Sequence, residues 1–258
     1  MIRRVAFLVL LGLAVLEAQT DSPVVGVGPF LHIVSDLDQS LAFYHDTLGL
    51  ELSGPAGDHK FTDNPAVANL YGVPGKQFRA AVLKIPGSQM GIELVQWGEA
   101  RKPIDGPGRI GLVLHGNVPL GTKRLRDPDG FPVAEEISDI TFAELIISVR
   151  DVQKIVALYK QVLGFKVDGE DLLVPESSVR IRFTKAAGTD EPSSSFPEPG
   201  QGMLRLPVHN IAALTASLKA AGFAVITTGG VPVTLPQGPQ VIILRDPNNF
   251  YLQPMEAR

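Results

Sequence analysis

The chain contains no cysteine and only one tryptophan, Trp97. Without thiols there are no disulfides, no thiolate metal ligands and no cysteine nucleophile. A chain of 258 residues with 45% hydrophobic content can instead be held by burial alone. An excess of one charge is also lacking. Lys and Arg number 23 against 27 Asp and Glu, for a net charge of −4, with no long run of either sign. That excludes the basic stripe a nucleic-acid surface needs. No phosphate-binding glycine loop is followed by Lys-Ser or Lys-Thr, and no Gly-x-Ser-x-Gly elbow is present. Gly26-Val27-Gly28 precedes a strand rather than a helix and reads as a spacer.

Long apolar runs are absent except at the start. Met1-Ile2-Arg3-Arg4 is a short basic region, Val5 to Leu16 is apolar for 12 residues, and Ala18 offers a small residue for cleavage. The pattern predicts a secretory signal over residues 1–18 and a periplasmic or secreted mature protein. Twelve residues span about 18 Å as a helix, short of a bilayer core, so no stable membrane anchor is expected. An uncleaved anchor is the alternative.

What the chain does have is a repeat. Ser35-Asp36-Leu37-Asp38-Gln39-Ser40-Leu41-Ala42-Phe43-Tyr44, leading to Leu48-Gly49-Leu50, returns later. Asp36 falls on Asp151, Ala42 on Ala157, Tyr44 on Tyr159, Leu48 on Leu163 and Gly49 on Gly164. In each copy a strand precedes the aspartate, which is placed to cap a helix. Leu37, Leu41, Tyr44 and Leu48 make one helical face, and glycine ends it. A second repeat closes each half: Asp127-Pro128-Asp129-Gly130-Phe131 matches Asp246-Pro247-Asn248-Asn249-Phe250. Both are turn sequences, with Gly or Asn suited to positive φ. A third is lopsided. His209-Asn210-Ile211 opens a helix through Lys219, whereas His115-Gly116-Asn117-Val118 runs into Pro119 and soon reaches the hairpin, so the first half reads as shortened.

These residues resemble the vicinal oxygen chelate superfamily, which unites glyoxalases, bleomycin-resistance proteins and extradiol dioxygenases. Gly91-Ile92-Glu93-Leu94-Val95 is similar to its fourth strand, and the Asp-Pro hairpins to the turn before its last strand. The resemblance implies an α+β fold of tandem βαβββ modules forming two cup-shaped domains, at 24–138 and 139–258. It implies a small-molecule ligand or substrate, a monomer or homodimer, and in catalytic members a divalent metal ion in the cup. Such a protein is a metal-assisted lyase, isomerase or dioxygenase. The alternative is a metal-free binding protein that sequesters its ligand.

Carried over residue by residue, the family's ligand positions fall on Pro29, Glu93, Ile110 and Ala134 in the first half. In the second they fall on Glu144, Met203 and Gln253, with one position near Arg182 left unregistered. Glu93, Glu144 and Gln253 are therefore the candidate metal ligands, and Glu93 and Glu144 the candidate catalytic groups. Oxygen-only ligation suits a hard cation. Glu93 and Glu144 can equally be structural, paired with Arg79, Arg182 or Arg205. Gln96, Trp97, Met203, His115 and His209 are candidate pocket residues, the two histidines reading alternatively as turn or capping groups. Strand alternation puts His32 on the face opposite the ligand positions. His45 falls on the solvent side of the first helix and His59 in a loop.

Overall fold

The structure, a computed structural model, describes residues 22–54, 59–98, 110–116, 124–135, 140–186 and 197–257. The expected leader at 1–18 lies outside them. Among the described residues no helix is long and apolar enough to cross a membrane.

The first module runs β1 (Phe30–Ile33), α1 (Leu37–Leu41), β2 (Glu51–Leu52), α2 (Pro65–Leu70), β3 (Phe78–Lys84) and β4 (Ile92–Trp97). The second holds β5 (Ile110–Gly116), β6 (Arg124–Arg126) and β7 (Pro132–Glu135). The third holds β8 (Ile140–Val149), α3 (Val152–Leu163), β9 (Lys166–Asp168), β10 (Asp171–Leu173) and β11 (Arg180–Lys185). The fourth holds β12 (Gly202–Val208), α4 (Ile211–Ala220), β13 (Ala224–Val225), β14 (Val233–Thr234), β15 (Gln240–Val241), β16 (Leu244–Arg245) and β17 (Tyr251–Glu256).

The repeated helices form for the local reasons their sequences give. The Asp36 carboxylate accepts the Asp38 and Gln39 N–H groups, and that of Asp151 accepts the Lys154 N–H. Gly49 and Gly164 stop them at φ 72° and 74°. The first helix widens over Ala42–Thr47, where the Leu48 N–H donates five residues back to the Phe43 carbonyl. Both turn hairpins place the expected residue at positive φ, Gly130 at 77° and Asn249 at 67°.

The strands form two sheets, ordered β13-β16-β17-β12-β1-β4-β3-β2 and β6-β7-β5-β8-β11-β10-β9. The first module therefore joins the fourth, through antiparallel β1 and β12, and the second joins the third through β5 and β8. This corrects the expectation that each half makes its own cup. Local periodicity builds each module but does not say which module edges meet. The seam is selected by facing apolar rows: Phe30 lies opposite Leu204 and Leu31 opposite Met203, so both faces of the junction are apolar. Each half is still tied internally, because the Tyr44 hydroxyl donates to Asp127 and that of Tyr159 to Asp246, both at 3.1 Å. The main core fills the space between the helices and the inner faces of both sheets. It takes Phe30, Ile92 and Leu204 from one sheet, Leu112, Leu145 and Ile181 from the other, and Tyr44, Tyr159 and Leu214 from the helices.

Candidate functional site

Strand alternation sorts the first sheet into two faces. Phe30, Ile92, Leu94 and Leu204 go to the main core. Leu31, Ile33, Val95, Trp97, Met203 and Tyr251 form a second apolar cluster on the concave face, closed at one side by Ala68, Leu70 and Tyr71 from α2 and its end. A cavity of about 260 Å³ opens there. Its apolar wall includes Val67, Tyr71, Phe78, Val95, Leu235, Val241 and Met255, and its polar groups are Asn64, Glu93, Arg205, Gln237 and Gln253.

The polar centre of this cup is one fork. Arg205 on β12 donates from Nε to Gln253 Oε1 at 2.6 Å on β17 and from Nη2 to Glu93 Oε2 at 2.7 Å on β4. To reach Glu93 the side chain crosses β1, which lies between β12 and β4. Gly28 makes the crossing possible, because a Cβ there would meet Arg205 Cγ at 2.8 Å and Cδ at 2.9 Å. The spacer glycine of the sequence therefore has a packing task. Tyr71 also bonds Gln253, and burial, with the Glu93 charge next, pushes its phenol far above the ordinary range.

Glu93 and Gln253 were expected in different cups and share one. Glu144 lies on the other sheet, opposite Val113 on β5 and Arg180 on β11. There Arg182 Nε stands 3.3 Å from Glu144 and donates to Asp171 at 2.7 Å, and Arg180 pairs with Asp168 at 2.7 Å. Of the expected pocket residues, Trp97 and Met203 are buried in the concave cluster. Trp97 stands behind the wall, its ring 4.9 Å from Tyr71 and 5.1 Å from Phe78. Gln96 turns to the opposite face, where its Oε1 accepts the Leu37 N–H and Arg79 Nε. His209 is exposed just before Asn210, the cap of α4, and does not line the cavity. The His115 side chain lies outside the described residues, as does that of Ala134.

Two groupings of side chains bear on a metal. In the cup, the two expected ligands, Glu93 and Gln253, are turned onto a guanidinium, and Leu31 and Met203 beside them supply no hard ligand. The residues do not fit a divalent ion, because the space between the donors already holds a positive charge. The second grouping is His32, Asp127 and Asp129, buried, with ligand atoms within 4.8 Å of one another. His32 Nε2 lies 2.7 Å from Asp127 Oδ2. That is shorter than the ~3 Å edge kept by two ligands of one metal bonded at roughly 2.1 Å. His32 Nδ1 faces the Gln201 carbonyl at 3.2 Å, so both ring nitrogens meet acceptors and the ring is an imidazolium. Asp127 also accepts the Tyr44 hydroxyl and the N–H groups of Asp129 and Phe131. This is a buried ion pair with its hydrogen bonds filled. Sequence reasoning placed His32 on the correct face, but its partner comes from a different module.

The family model described as the Glyoxalase/Bleomycin resistance protein/Dioxygenase superfamily matches residues 141–253. Over that stretch the chain is similar to this superfamily. Glyoxalase I from Zea mays superposes on the chain with a TM-score of 0.57 at 15% identity, covering 88% of this chain and 90% of that one. A putative dioxygenase from Bacillus subtilis superposes with a TM-score of 0.58 at 14% identity, covering 91% of this chain and 86% of that one. These likenesses establish the vicinal oxygen chelate fold over most of the chain. No curated protein sequence matches it.

Proposed function

We propose that the mature protein is an exported binding protein that holds a small organic molecule in the cup shared by its first and fourth modules, without a metal. The observation that carries this reading is the Arg205 fork on Glu93 and Gln253 at the centre of an otherwise largely apolar cavity. Metal-assisted lyase, isomerase or dioxygenase chemistry needs an ion where this guanidinium sits. A cup with an apolar wall and a few convergent polar groups is the usual form of a small-molecule site.

Trp97, the single tryptophan, reports on the wall through Tyr71 and Phe78. The test is metal content after growth with iron, manganese and zinc and purification without chelator, together with titration of N-phenyl-1-naphthylamine followed by energy transfer from Trp97. The expected result is no stoichiometric metal and saturable binding of the probe. One metal per chain that is lost in Glu93→Ala or Gln253→Ala would overturn the reading. Export is tested separately by N-terminal sequencing of secreted material, which is expected to start close after Ala18; an intact Met1 would contradict it.

A further inference from the structure

The cup's charges cancel internally. Among the described residues that line it, only Glu93 and Arg205 are charged, and they bond each other at 2.7 Å. The pair is sheltered, with side-chain exposures of 18% and 20%. The other polar groups are the amides of Asn64, Gln237 and Gln253 and the Tyr71 hydroxyl, which carry no net charge. An anion entering this space would have to share a guanidinium already committed to Glu93, beside a fixed carboxylate. A cation would meet the reverse. A buried charge without a partner is costly, whereas an uncharged molecule meets donors and acceptors at no such cost.

We infer that the cup selects an uncharged ligand, an apolar or aromatic body bearing neutral polar groups, and that the Glu93–Arg205 pair sets this selection. The inference rests on the binding reading above. Arg205 makes two bonds among the described residues, through Nε and one Nη, so further N–H donors of its fork remain for a neutral oxygen of the ligand. Glu93 beside it can accept from a ligand hydroxyl or amide. Neutralising Glu93 would release the full charge of Arg205 into the cup and turn it toward anions.

The test uses two probes of the same ring system, N-phenyl-1-naphthylamine, which is uncharged, and 1-anilinonaphthalene-8-sulfonate, which adds a sulfonate. Energy transfer from Trp97 weights the signal toward probe near the cup. The wild-type protein is expected to bind the neutral probe at least about tenfold more tightly. Glu93→Gln is expected to move that ratio about tenfold or more toward the sulfonate. The double variant Glu93→Gln/Arg205→Gln has no charge in the cup and is expected to restore the neutral preference, which a merely disrupted site would not do. Equal binding of both probes in the wild type, a preference for the sulfonate, or a ratio unmoved by Glu93→Gln would overturn the inference while leaving the binding reading in place. Absence of any Trp97-linked signal from either probe would instead defeat the binding reading itself.

Discussion

The two Asp-Pro hairpins are built alike and solve one electrostatic problem in two ways. In each, a helix tyrosine donates to the first aspartate of the turn at 3.1 Å. That carboxylate also accepts two backbone N–H groups of its own loop, from Asp129 and Phe131 in one hairpin and from Asn248 and Phe250 in the other. The difference lies across the core. The shift that lays Asp36 on Asp151 lays His32 on Ile147, and the hairpin alignment lays Asp129 on Asn248. Burial pushes Asp127 up, but the imidazolium of His32 and the bonds it accepts outweigh that and hold it below the usual carboxylate range. Asp246 has no imidazole. Burial raises it to about 6, against the bonds from Phe250, Asn248 and Tyr159 and the charge of Arg245. Hydrogen bonds and the Arg245 charge do not keep this buried carboxylate acidic, whereas the directly bonded imidazole of His32 keeps Asp127 so.

The largest break in this comparison is His32→Ile, which gives the first hairpin the pattern of the second. It leaves Asp127 buried without its cation, and losing one partner of a buried pair costs about 3–5 kcal/mol. Urea denaturation at neutral pH should show a loss of that order, and a loss below about 1 kcal/mol would mean the pair does not hold the hairpin. His32 also shows what the sequence left hidden. Caps at Asp36 and Asp151, stops at Gly49 and Gly164, and both hairpins were legible because each is decided within a few residues. The partners of His32 and of Glu93 were not, because they lie on other modules and depend on which strand edges meet. Arg205 was one of three arginines named for Glu93. What singles it out is phase: it stands two residues from Met203, on the concave face of an apolar strand.

A second break uses pH. The Asp246 carboxyl binds its proton more tightly folded, at about 6, than its ordinary value of 3.8. Its contribution is therefore fully present below that ordinary value and is lost as pH rises through 6. The Asp246 share of global stability should fall between about pH 4 and pH 6 by at most roughly 3 kcal/mol, and Asp246→Asn should remove that share of the slope, leaving the one that the raised Asp129 carries in the same direction. The first hairpin runs differently. Burial lowers His32, but Asp127, Asp129 and the Gln201 carbonyl together raise it by more, so its share is present below its ordinary 6.5 and is lost as pH rises through its folded value. The Asp127 share is lost on acidification, as pH falls through its depressed value. Denaturation series on Asp246→Asn and on the wild type separate these windows, and an unchanged slope between pH 4 and 6 in the variant would refute the assignment.

The tyrosines give a finer comparison. Tyr44→Phe and Tyr159→Phe each delete one donor to a buried carboxylate, worth about 1.5–3 kcal/mol when the acceptor is charged. Tyr159→Phe should cost more at pH 7, because among the described residues Asp246 keeps only backbone hydrogen-bond donors afterwards, whereas Asp127 keeps His32. Equal losses would mean that the imidazolium does not compensate for the missing hydroxyl.

The smallest expected effect is at Asp129, where the second hairpin already shows the substitute. One oxygen of Asp129 accepts the Ser35 N–H at 2.9 Å, while the other is buried without a hydrogen-bond partner among the described residues. Burial raises its carboxyl, against the Ser35 bond and the His32 charge. Asp129→Asn keeps an acceptor for Ser35 and replaces the unfilled oxygen with an NH₂ group. It also removes the second negative charge from a pocket with one imidazolium, so the change in stability at neutral pH should lie within about 1 kcal/mol, on the stabilising side. The same change should lower the pKa of His32, because Asp129 is one of the charges that raise it. An NMR titration of the imidazole, assigned by its loss in His32→Gln, reads this directly. A stability loss above about 1 kcal/mol, with His32 unmoved, would show that Asp129 is held for its charge. The two hairpins would then differ in kind, beyond the presence of one histidine.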